Sequence, residues 1–331
     1  MDNNIETTSN KQYTVNDFFC GCGGIGIGFK DAGFKIAGAW DFDKFAVETY
    51  RENVGNHVKL ADITQMTMDD IPKVDVWAFG FPCVNLSYAG RRELIKVRCS
   101  NCENVWRYTI EDPFCPVCGR IEFRAANHSS LFFEIMRLLD ECDADKRPQV
   151  LLAENVKALK PHLPMIEAEY RKRGYHTYYT LYNSKYWGVP QNRERYFVVG
   201  IHESLQGDFA FPEEQHDFIP KLSTILEKNV DEKFYIPDDK ARKIIDQALK
   251  KLADLSGVHA TLSPDRVNKR QNGRRSKEDE EEMYTLTSMD IHGVIVDDTY
   301  GYDKEARIYD GISPALRDGG GKKVKVIEEE A

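Results

Sequence analysis

The sequence has no long hydrophobic run and no excess of positive charge. No stretch of the 331 residues approaches the roughly 18 consecutive apolar residues of a membrane-spanning helix. The N-terminal segment MDNNIETTSNKQ is polar and lacks the apolar core of a secretory signal peptide. The formal net charge of −9 argues against a protein that coats nucleic acid in a general way. We therefore expect a cytoplasmic protein without a membrane anchor.

The composition is that of a globular protein with reduced thiols. Hydrophobic residues make up 41% of the chain, and its length suits one large domain with a smaller one. The cytoplasm keeps thiols reduced. The eight cysteines therefore indicate metal binding or catalysis more than disulfides.

Strand-like and helix-like segments alternate through residues 13–202. This pattern predicts an α/β fold, a doubly wound and mostly parallel sheet. Ligands of such sheets bind at the carboxyl ends of the strands. Four residues end a predicted strand or follow one directly: Gly21, Asp41, Asp62 and Cys83. We expect these four residues to converge on one edge of the sheet.

The alternation stops near residue 203. A helix-like stretch, DDKARKIIDQALKKLADL, stands alone, and three short similar pieces containing Leu262, Leu286 and Leu316 predict β-ribbons in a small domain. Residues 265–277 carry six Lys and Arg against one Asp, and EDEEE follows. This basic run is either a solvated loop with compensating charges or an arm that contacts phosphates.

A glycine-rich turn follows the first predicted strand. Gly21, Gly23 and Gly26 match the pattern GxGxxG, and Asp41 follows about twenty residues later, as in dinucleotide-binding folds. Such a turn lets a cofactor approach the backbone, and the carboxylate accepts hydrogen bonds from ribose hydroxyls. The pattern fits a nicotinamide enzyme as well as an adenosylmethionine enzyme. Phe42 either stacks on adenine or packs in the core.

Four cysteines form two C-x2-C pairs separated by twelve residues: Cys99, Cys102, Cys115 and Cys118. Paired spacing of this kind is typical of a zinc site with four thiolate ligands. Four thiolates close the coordination sphere, which favours a structural role over a catalytic one. We expect a small inserted knob between Arg92 and Ala125.

Three further features carry reactive or charged groups. Cys83 follows Gly80 and Pro82 at the exit of a predicted strand, where it is either presented to a ligand or is a small buried filler. Glu154 ends the apolar strand VLLAENV, where a carboxylate is costly unless it is used or paired. The segment QNRER places two arginines on one face of a strand, where they either bind an anionic or acceptor group or form surface salt bridges. These are Arg193 and Arg195.

Seven segments, in this order, resemble the motifs of DNA (cytosine-5) methyltransferases. They are DFFCGCGGIGIGF, WDFDKFAVETYREN, ADITQ, GFPCVNLSYAGRR, SSLFFEIMRLL, ENV and QNRER. LSTILE, residues 222–227, resembles a later motif of the family, and Cys20 stands where the family has a small residue. The resemblance covers residues 13–227 well and the remainder loosely. It implies the Rossmann-like fold of adenosylmethionine-dependent methyltransferases.

The resemblance also implies a role for each matching residue. The implied catalytic residues are Cys83, Glu154, Arg193 and Arg195. The implied cofactor-binding residues are Phe19, Gly21, Gly23, Gly24, Asp41, Phe42, Asp62, Ile63, Pro82 and Leu131. Cys83 is then the nucleophile that adds to C6 of cytosine, and Glu154 binds N3. Arg195 then donates to O2, and Arg193 orients the thiol loop or a phosphate.

The implied reaction is transfer of a methyl group from S-adenosylmethionine to C5 of a cytosine flipped out of double-stranded DNA. A cytosine-5 methyltransferase of RNA or transfer RNA is an alternative with the same fold. A Rossmann-type oxidoreductase leaves the Pro-Cys loop unexplained, and a zinc-ribbon DNA-binding protein would not need Glu154. The sequence leaves the DNA target open, as it does a role in restriction–modification, in a phage or as an orphan enzyme.

The expected domains are a catalytic domain at 13–227, with a zinc-knuckle insertion at 93–124, and a partial target-recognition region at 228–331. The zinc-knuckle insertion is not a general feature of the family. The C-terminal Gly-Asn segment that closes the family's cofactor pocket is not recognisable. We therefore expect either that a second polypeptide supplies this segment or that the chain is truncated.

Overall fold

The computed structural model describes most of the first two thirds of the chain and short parts of the rest. The described residues are 11–82, 95–226, 258–262, 276–277, 281–282, 284, 292–296 and 307–310. The chain divides into two compact units, one of residues 1–180 with 196–210 and one of residues 181–195 with 211–331. Within the described ranges, no helix is long and apolar enough to cross a membrane.

A seven-stranded sheet dominates the described residues. Its strands are β1 (Thr14–Phe18), β2 (Lys35–Asp41), β3 (Val58–Leu60), β4 (Val76–Phe79), β8 (Val150–Val156), β9 (Tyr175–Asn183) and β10 (Glu194–His202). Their order in the sheet is β3-β2-β1-β4-β8-β10-β9. The pairs β2–β3, β1–β2, β1–β4 and β4–β8 are parallel. The α/β fold with a mostly parallel sheet that the sequence predicts is confirmed.

In the described part of the chain, four α-helices connect these strands. They are α1 (Gly24–Asp31), α2 (Lys44–Asn53), α3 (Phe132–Glu141) and α4 (Leu163–Arg171). Chain order runs outward from β1 through β2 to β3 on one side, and β4 lies on the other side. The connections therefore diverge between β1 and β4, and this is where doubly wound sheets bind their ligands.

The sheet is held by aromatic residues on its central strands. The Phe18 ring stacks on Trp40 of β2 with centroids 5.0 Å apart, and it meets the edge of Trp77 of β4 at 5.2 Å. All three side chains are at most 3% exposed. Helix α3 buries its apolar residues at helical spacing, among them Phe132, Ile135, Met136 and Leu139. The core therefore lies directly beneath the carboxyl ends of β1, β2 and β4.

The cysteine-rich insertion forms a separate antiparallel sheet, which we call the knuckle sheet. It contains β5 (Lys96–Cys99), β6 (Val105–Arg107) and β7 (Phe123–Ala125) in the order β6-β5-β7. The register pairs Cys99 with Phe123 and Val97 with Ala125. Val97 and Cys99 are completely buried. The last strand of the insertion leads directly into the short turn before α3.

The second unit contains a three-stranded antiparallel sheet. Its strands are β11 (Val258–Leu262), β12 (His292–Val296) and β13 (Arg307–Asp310), in that order. Of the three repeat leucines, Leu262 lies in β11, whereas Leu286 and Leu316 lie outside the described residues. The helix predicted over 238–255 also lies outside them, and so does almost all of the basic run 265–277.

Candidate active site

A cavity of about 630 Å³ lies at the carboxyl ends of the strands in the first unit. Its lining contains six residues that the sequence predicts for cofactor binding: Phe19, Asp41, Phe42, Asp62, Ile63 and Leu131. It also contains residues that the sequence did not point to: Trp40, Ala61, Thr64, Met66, Ala125, Ala126, Asn127 and His128. Gly21, Gly23, Gly24 and Pro82 do not line it. The cavity therefore brings together residues of four predicted segments and one segment that was not predicted, residues 125–128.

The carboxylate of Asp41 is tied to the glycine turn. Its Oδ2 accepts a hydrogen bond of 2.8 Å from the Gly21 N–H, and its Oδ1 accepts one of 2.9 Å from the Asp43 N–H. Burial raises the pKa of Asp41, and the N–H groups of Asp43 and Gly21 counter this in part. Each carboxylate oxygen can accept a second hydrogen bond. Asp41 can therefore hold the turn and still bind hydroxyl groups in the cavity.

The glycines of the turn are required by backbone geometry. Gly21 and Gly23 have φ of +54° and +98°, a region that favours glycine. A Cβ on Gly23 would also lie 2.4 Å from Cγ2 of Val54, a clash that rigid packing cannot absorb. Gly24 then begins α1. The predicted role of these glycines is thus one of shaping the turn beside the cavity.

The residues predicted to bind adenine differ in how much of each side chain is exposed. Phe42 is 63% exposed, so it is not a core residue. Ile63 is 7% exposed and forms part of the cavity floor. Oδ1 of Asp62 accepts hydrogen bonds of 2.9 Å from both N–H and Oγ of Thr64, and so caps the 3₁₀ turn Ile63–Gln65. An exposed aromatic ring beside a fixed carboxylate can hold a planar, hydrogen-bonding ring system.

Residues 125–128 form the wall that sequence reasoning missed. They run from the last residue of β7 towards α3, and Ser130 fixes the two residues in the middle, Ala126 and Asn127. The Ser130 hydroxyl oxygen accepts hydrogen bonds of 3.0 Å from the N–H groups of Ala126 and Asn127 and donates one of 2.8 Å to the Asn127 carbonyl. Ser130 is fully buried. In the sequence, these residues could have been found only from their position directly before the motif that contains Leu131.

Glu154 and Asn155 lie beside the loop that leads to Cys83. A methyl group built on Gly80 would lie 3.6 Å from Oε2 of Glu154. Asn155 donates a hydrogen bond of 2.9 Å from Nδ2 to the Phe81 carbonyl, and it is 3% exposed. Cys83 itself lies outside the described residues. The end of β8 and the first residues of the Pro-Cys loop are therefore in direct contact.

The predicted arginine pair belongs to the second unit. Arg195 is the second residue of β10, and its Nη1 donates a hydrogen bond of 2.8 Å to the Glu194 carbonyl. Arg193 precedes the strand, and its N–H donates to Oδ1 of Asn183 at 3.1 Å. Both side chains are partly buried. That both side chains share one face of the strand stays a prediction.

The four paired cysteines come together at the edge of the knuckle sheet. Their sulfur atoms all lie within 4.8 Å of one another. Sγ of Cys99 is 3.4 Å from Sγ of Cys118, and Sγ of Cys102 is 3.5 Å from Sγ of Cys115. These distances are far longer than a disulfide bond. A tetrahedral site with Zn–S bonds of about 2.3 Å places its sulfurs about 3.8 Å apart, so this donor set fits a zinc ion.

A buried acid lies beneath the glycine turn. Asp17 is fully buried, and neither of its carboxylate oxygens makes a well-aligned hydrogen bond among the described residues. A methyl group on Gly26 would lie 3.0 Å from Oδ2 of Asp17 and 2.8 Å from the Tyr50 hydroxyl. Burial raises the pKa of Asp17 to about 8, and the Gly26 N–H offsets this only in part. This acid therefore retains its proton at neutral pH.

The comparison with known families decides the assignment. Residues 13–99 and 118–307 match the family described as C-5 cytosine-specific DNA methylase. The chain belongs to this family. It is therefore an enzyme that methylates cytosine in DNA with S-adenosylmethionine, and the resemblance noted in the sequence is confirmed. The match leaves out residues 100–117, which carry Cys102 and Cys115 of the four-cysteine cluster.

Individual methylases show the same relationship. The chain is 28% identical to the orphan methyltransferase M.SPBetaI of Bacillus phage SPbeta, over 85% of this chain and 83% of that protein. It is 33% identical to the type II methyltransferase M.NlaX of Neisseria lactamica, over 68% of this chain and 63% of that protein. The crystal structure of S. pombe Dnmt2 methyltransferase has the same fold, with a TM-score of 0.50 and 18% identity, over 72% of this chain and 66% of that one.

Proposed function

We propose that the cavity at the carboxyl ends of β1 and β2 binds S-adenosylmethionine. A volume of about 630 Å³ lies within the ~300–1,000 Å³ of small-molecule sites. In this proposal Asp41 accepts hydrogen bonds from the ribose hydroxyls and Phe42 stacks on the adenine. Asp62 and Ile63 then contact the adenine ring, at its edge and on its flat side. When bound, S-adenosylmethionine supplies a methyl group from its sulfonium centre.

The other walls of the cavity complete the proposed cofactor site. Phe19 and Leu131 line it from the glycine turn and from the start of α3. Gly21, Gly23 and Gly24 act through the shape of the turn, which brings the backbone close to the ligand. Pro82 lies where the loop leaves β4, and we assign it to the side of the cofactor that faces the substrate.

The chemistry on the base is assigned to Cys83 and Glu154. The thiolate of Cys83 forms a bond to C6 of cytosine, and the electrons of the C5–C6 double bond make C5 nucleophilic. Glu154 donates a hydrogen bond or a proton to N3 and so stabilises the added charge. C5 then takes the methyl group, a base removes the C5 proton, and the bond from C6 to sulfur breaks. The observation that carries this proposal is the proximity of Glu154 to Gly80, together with the hydrogen bond from Asn155 to the Phe81 carbonyl. These join the strand that contains the acid to the loop that continues to the thiol.

Substrate contacts are assigned to the arginines and to the C-terminal region. Arg195 donates to O2 of the flipped cytosine, and Arg193 orients the thiol loop or a phosphate. Double-stranded DNA is the proposed substrate form, and residues 228–331 are the proposed target-recognition region beside a catalytic domain at 13–227. DNA as substrate and unoxidised cysteine pairs both favour the cytoplasm. The relatives give no support to a second polypeptide, and it is not part of this proposal.

The four paired cysteines are proposed to hold one structural zinc ion. Cys99, Cys102, Cys115 and Cys118 supply four thiolates, which leave no open coordination position for a substrate. The distances between their sulfurs suit a tetrahedral ion. Bound zinc would link the two ends of the insertion and hold β5 against the segments that follow it.

Trapping on DNA that contains 5-fluorocytosine tests the proposed mechanism. The fluorine at C5 cannot leave as a proton does, so the protein should remain covalently attached to the base. We expect wild-type protein to form a denaturation-resistant adduct only when S-adenosylmethionine is added, and Cys83→Ser protein to form none. A protein that methylates DNA but never forms the adduct would contradict the assignment of Cys83. Labelled methyl transfer to RNA instead of DNA would favour the RNA alternative.

A further inference from the structure

The cofactor cavity lies between two segments that are distant in sequence. One is the turn wall, residues 61–66, and the other is the insert wall, residues 125–128. The turn wall follows β3, whereas the insert wall begins at Ala125, the last residue of the knuckle sheet. No strand pairing joins them among the pairings that the structure describes. Something else must therefore hold the two walls at a constant separation.

One ion pair on α3 contacts both walls. Glu134 accepts a hydrogen bond of 2.8 Å at Oε1 from the N–H of Ala125, in the insert wall. Its Oε2 accepts one of 2.8 Å from Nε of Arg137. Nη2 of Arg137 donates to the carbonyls of Ile63 and Met66 in the turn wall, each at 3.1 Å. The chain of contacts therefore runs from one wall to the other through two side chains.

The burial of the carboxylate in this ion pair argues for a specific role, whereas the side chain of Arg137 is 27% exposed. Glu134 is 2% exposed, and removing a carboxylate from water is costly unless its partners are well placed. A buried ion pair is weak evidence for stability, since an apolar pair of similar volume often serves as well. Apolar side chains could not form hydrogen bonds with the N–H of one wall and the carbonyls of the other. The pair is thus suited to fixing position.

An arginine is needed at this place because of its geometry. The planar guanidinium offers five N–H donors in a fixed fork, whereas a lysine offers three from one nitrogen. Arg137 uses Nε for Glu134, Nη2 for the two carbonyls, and Nη1 for Glu141 at 2.8 Å. A lysine would keep the positive charge, but it could not donate hydrogen bonds in all three directions.

We infer that Glu134 and Arg137 are positioning residues that set the distance between the two walls of the cofactor cavity, and so set the affinity for S-adenosylmethionine. This inference rests on the proposed cofactor site. Neither side chain lines the cavity. Both act through the backbone of the residues that do: Ile63 and Met66 on one side and Ala125 on the other.

Isothermal titration calorimetry of S-adenosylmethionine with three variants tests the inference. Arg137→Met removes the contacts to the turn wall, and Arg137→Lys keeps only the charge. Glu141→Gln is the matched control, because Glu141 binds the same arginine, is 44% exposed and does not line the cavity. We expect affinity to fall about tenfold or more for Arg137→Met, and somewhat less for Arg137→Lys, because small displacements at a site have large effects. Glu141→Gln should stay within about twofold of wild type.

Kinetics separate positioning from a general loss of stability. The KM for S-adenosylmethionine should rise in Arg137→Met, whereas kcat at saturating cofactor and the KM for DNA should change little. If the melting temperature falls but the affinity and this KM stay at wild-type values, the pair is merely structural and the inference is wrong. If Arg137→Met does not fold, the same readouts on Arg137→Lys decide. Wild-type protein that fails to bind S-adenosylmethionine at all would instead refute the proposed cofactor site.

Discussion

The carboxylate of Glu154 lies directly beside the backbone of Gly80. A methyl group on Gly80 would be 3.6 Å from Oε2 of Glu154, and the neighbouring Asn155 binds the carbonyl of Phe81 at 2.9 Å. The end of β8 is therefore fixed against the residues that lead to Cys83. In the proposed mechanism the acid and the thiol act on the same cytosine ring, so this contact has direct consequences for catalysis.

Replacing Glu154 by glutamine should lower kcat by a factor on the order of 10²–10⁴, the usual contribution of general acid–base help. The amide keeps the shape of the side chain but cannot donate a proton to N3. Adduct formation on 5-fluorocytosine DNA should slow by a similar factor, whereas calorimetric binding of S-adenosylmethionine should not change. Glu167→Gln on the exposed face of α4 is the control. Near-normal turnover of Glu154→Gln would assign Glu154 to structure.

Replacing Asp41 by asparagine should weaken cofactor binding by about ten- to a hundredfold, the range expected for a lost hydrogen bond to a charged group. The amide retains one acceptor but places an NH₂ group against one of the two backbone N–H groups that the carboxylate now binds. Binding of S-adenosylhomocysteine and of its 2′-deoxy counterpart should be measured for both proteins. If the variant loses the same factor for both ligands, Asp41 acts on the glycine turn and not on the 2′-hydroxyl.

Removing the metal from the four-cysteine cluster should weaken cofactor binding. Cys99 lies in β5, whose partner strand β7 ends at Ala125 on the cavity wall. We expect about one zinc ion per chain by elemental analysis. The affinity for S-adenosylmethionine should fall several-fold after chelation or in Cys115→Ser. Cys142→Ala, at a buried thiol outside the cluster, is the control. Protein that contains no zinc and has four freely titratable thiols would contradict the proposed metal site. Loss of zinc without a change in the affinity for S-adenosylmethionine would show that the cluster does not influence the cavity.

Asp17 should make the protein less stable as the pH rises. The pKa of Asp17 in the folded protein is raised to about 8 by burial, whereas an unfolded aspartate has a pKa of about 3.9. Below the lower value both states bind the proton. Between the two values only the folded state retains it, so the free energy of unfolding falls as the pH rises from about 4 to about 8. Asp17→Asn should flatten this slope in urea unfolding measured at several pH values.

Glu169 provides a control of opposite sign for this measurement. It is buried, which raises its pKa, but hydrogen bonds from Lys172, Arg173 and Tyr108 outweigh this, so that the pKa is lowered. Its contribution to stability is present above the unfolded pKa and is lost as the pH falls. Glu169→Gln should therefore remove stability mainly at neutral pH. Identical slopes for wild type and Asp17→Asn would show that Asp17 is not protonated in the folded state.

Much of the site could be predicted because it lies at the ends of strands. Asp41 ends a strand whose last residues are buried, and Asp62 lies two residues after the short strand β3. Parallel strands end at one edge of a sheet, so both carboxylates could be placed there from the sequence. The turn glycines were recognisable because their conformations exclude most other residues. The two C-x2-C pairs were recognisable because a metal site needs its ligands at short, regular spacing. In each case the information is local in the chain.

The strands in the order of the chain, the carboxylates at their ends and the paired spacing of the cysteines are local features, and they can therefore be recognised in the sequence. The position of residues 125–128 in the cavity lining, and the link from Ala125 through Glu134 and Arg137 to Ile63 and Met66, depend on tertiary packing. In the sequence, Glu134 and Arg137 are two polar residues of an amphipathic helix, and helical periodicity states which residues share a face. It does not state which distant backbone groups will lie opposite that face. Those partners are set by the packing of α3 against the 3₁₀ turn after β3 and against the end of the knuckle sheet.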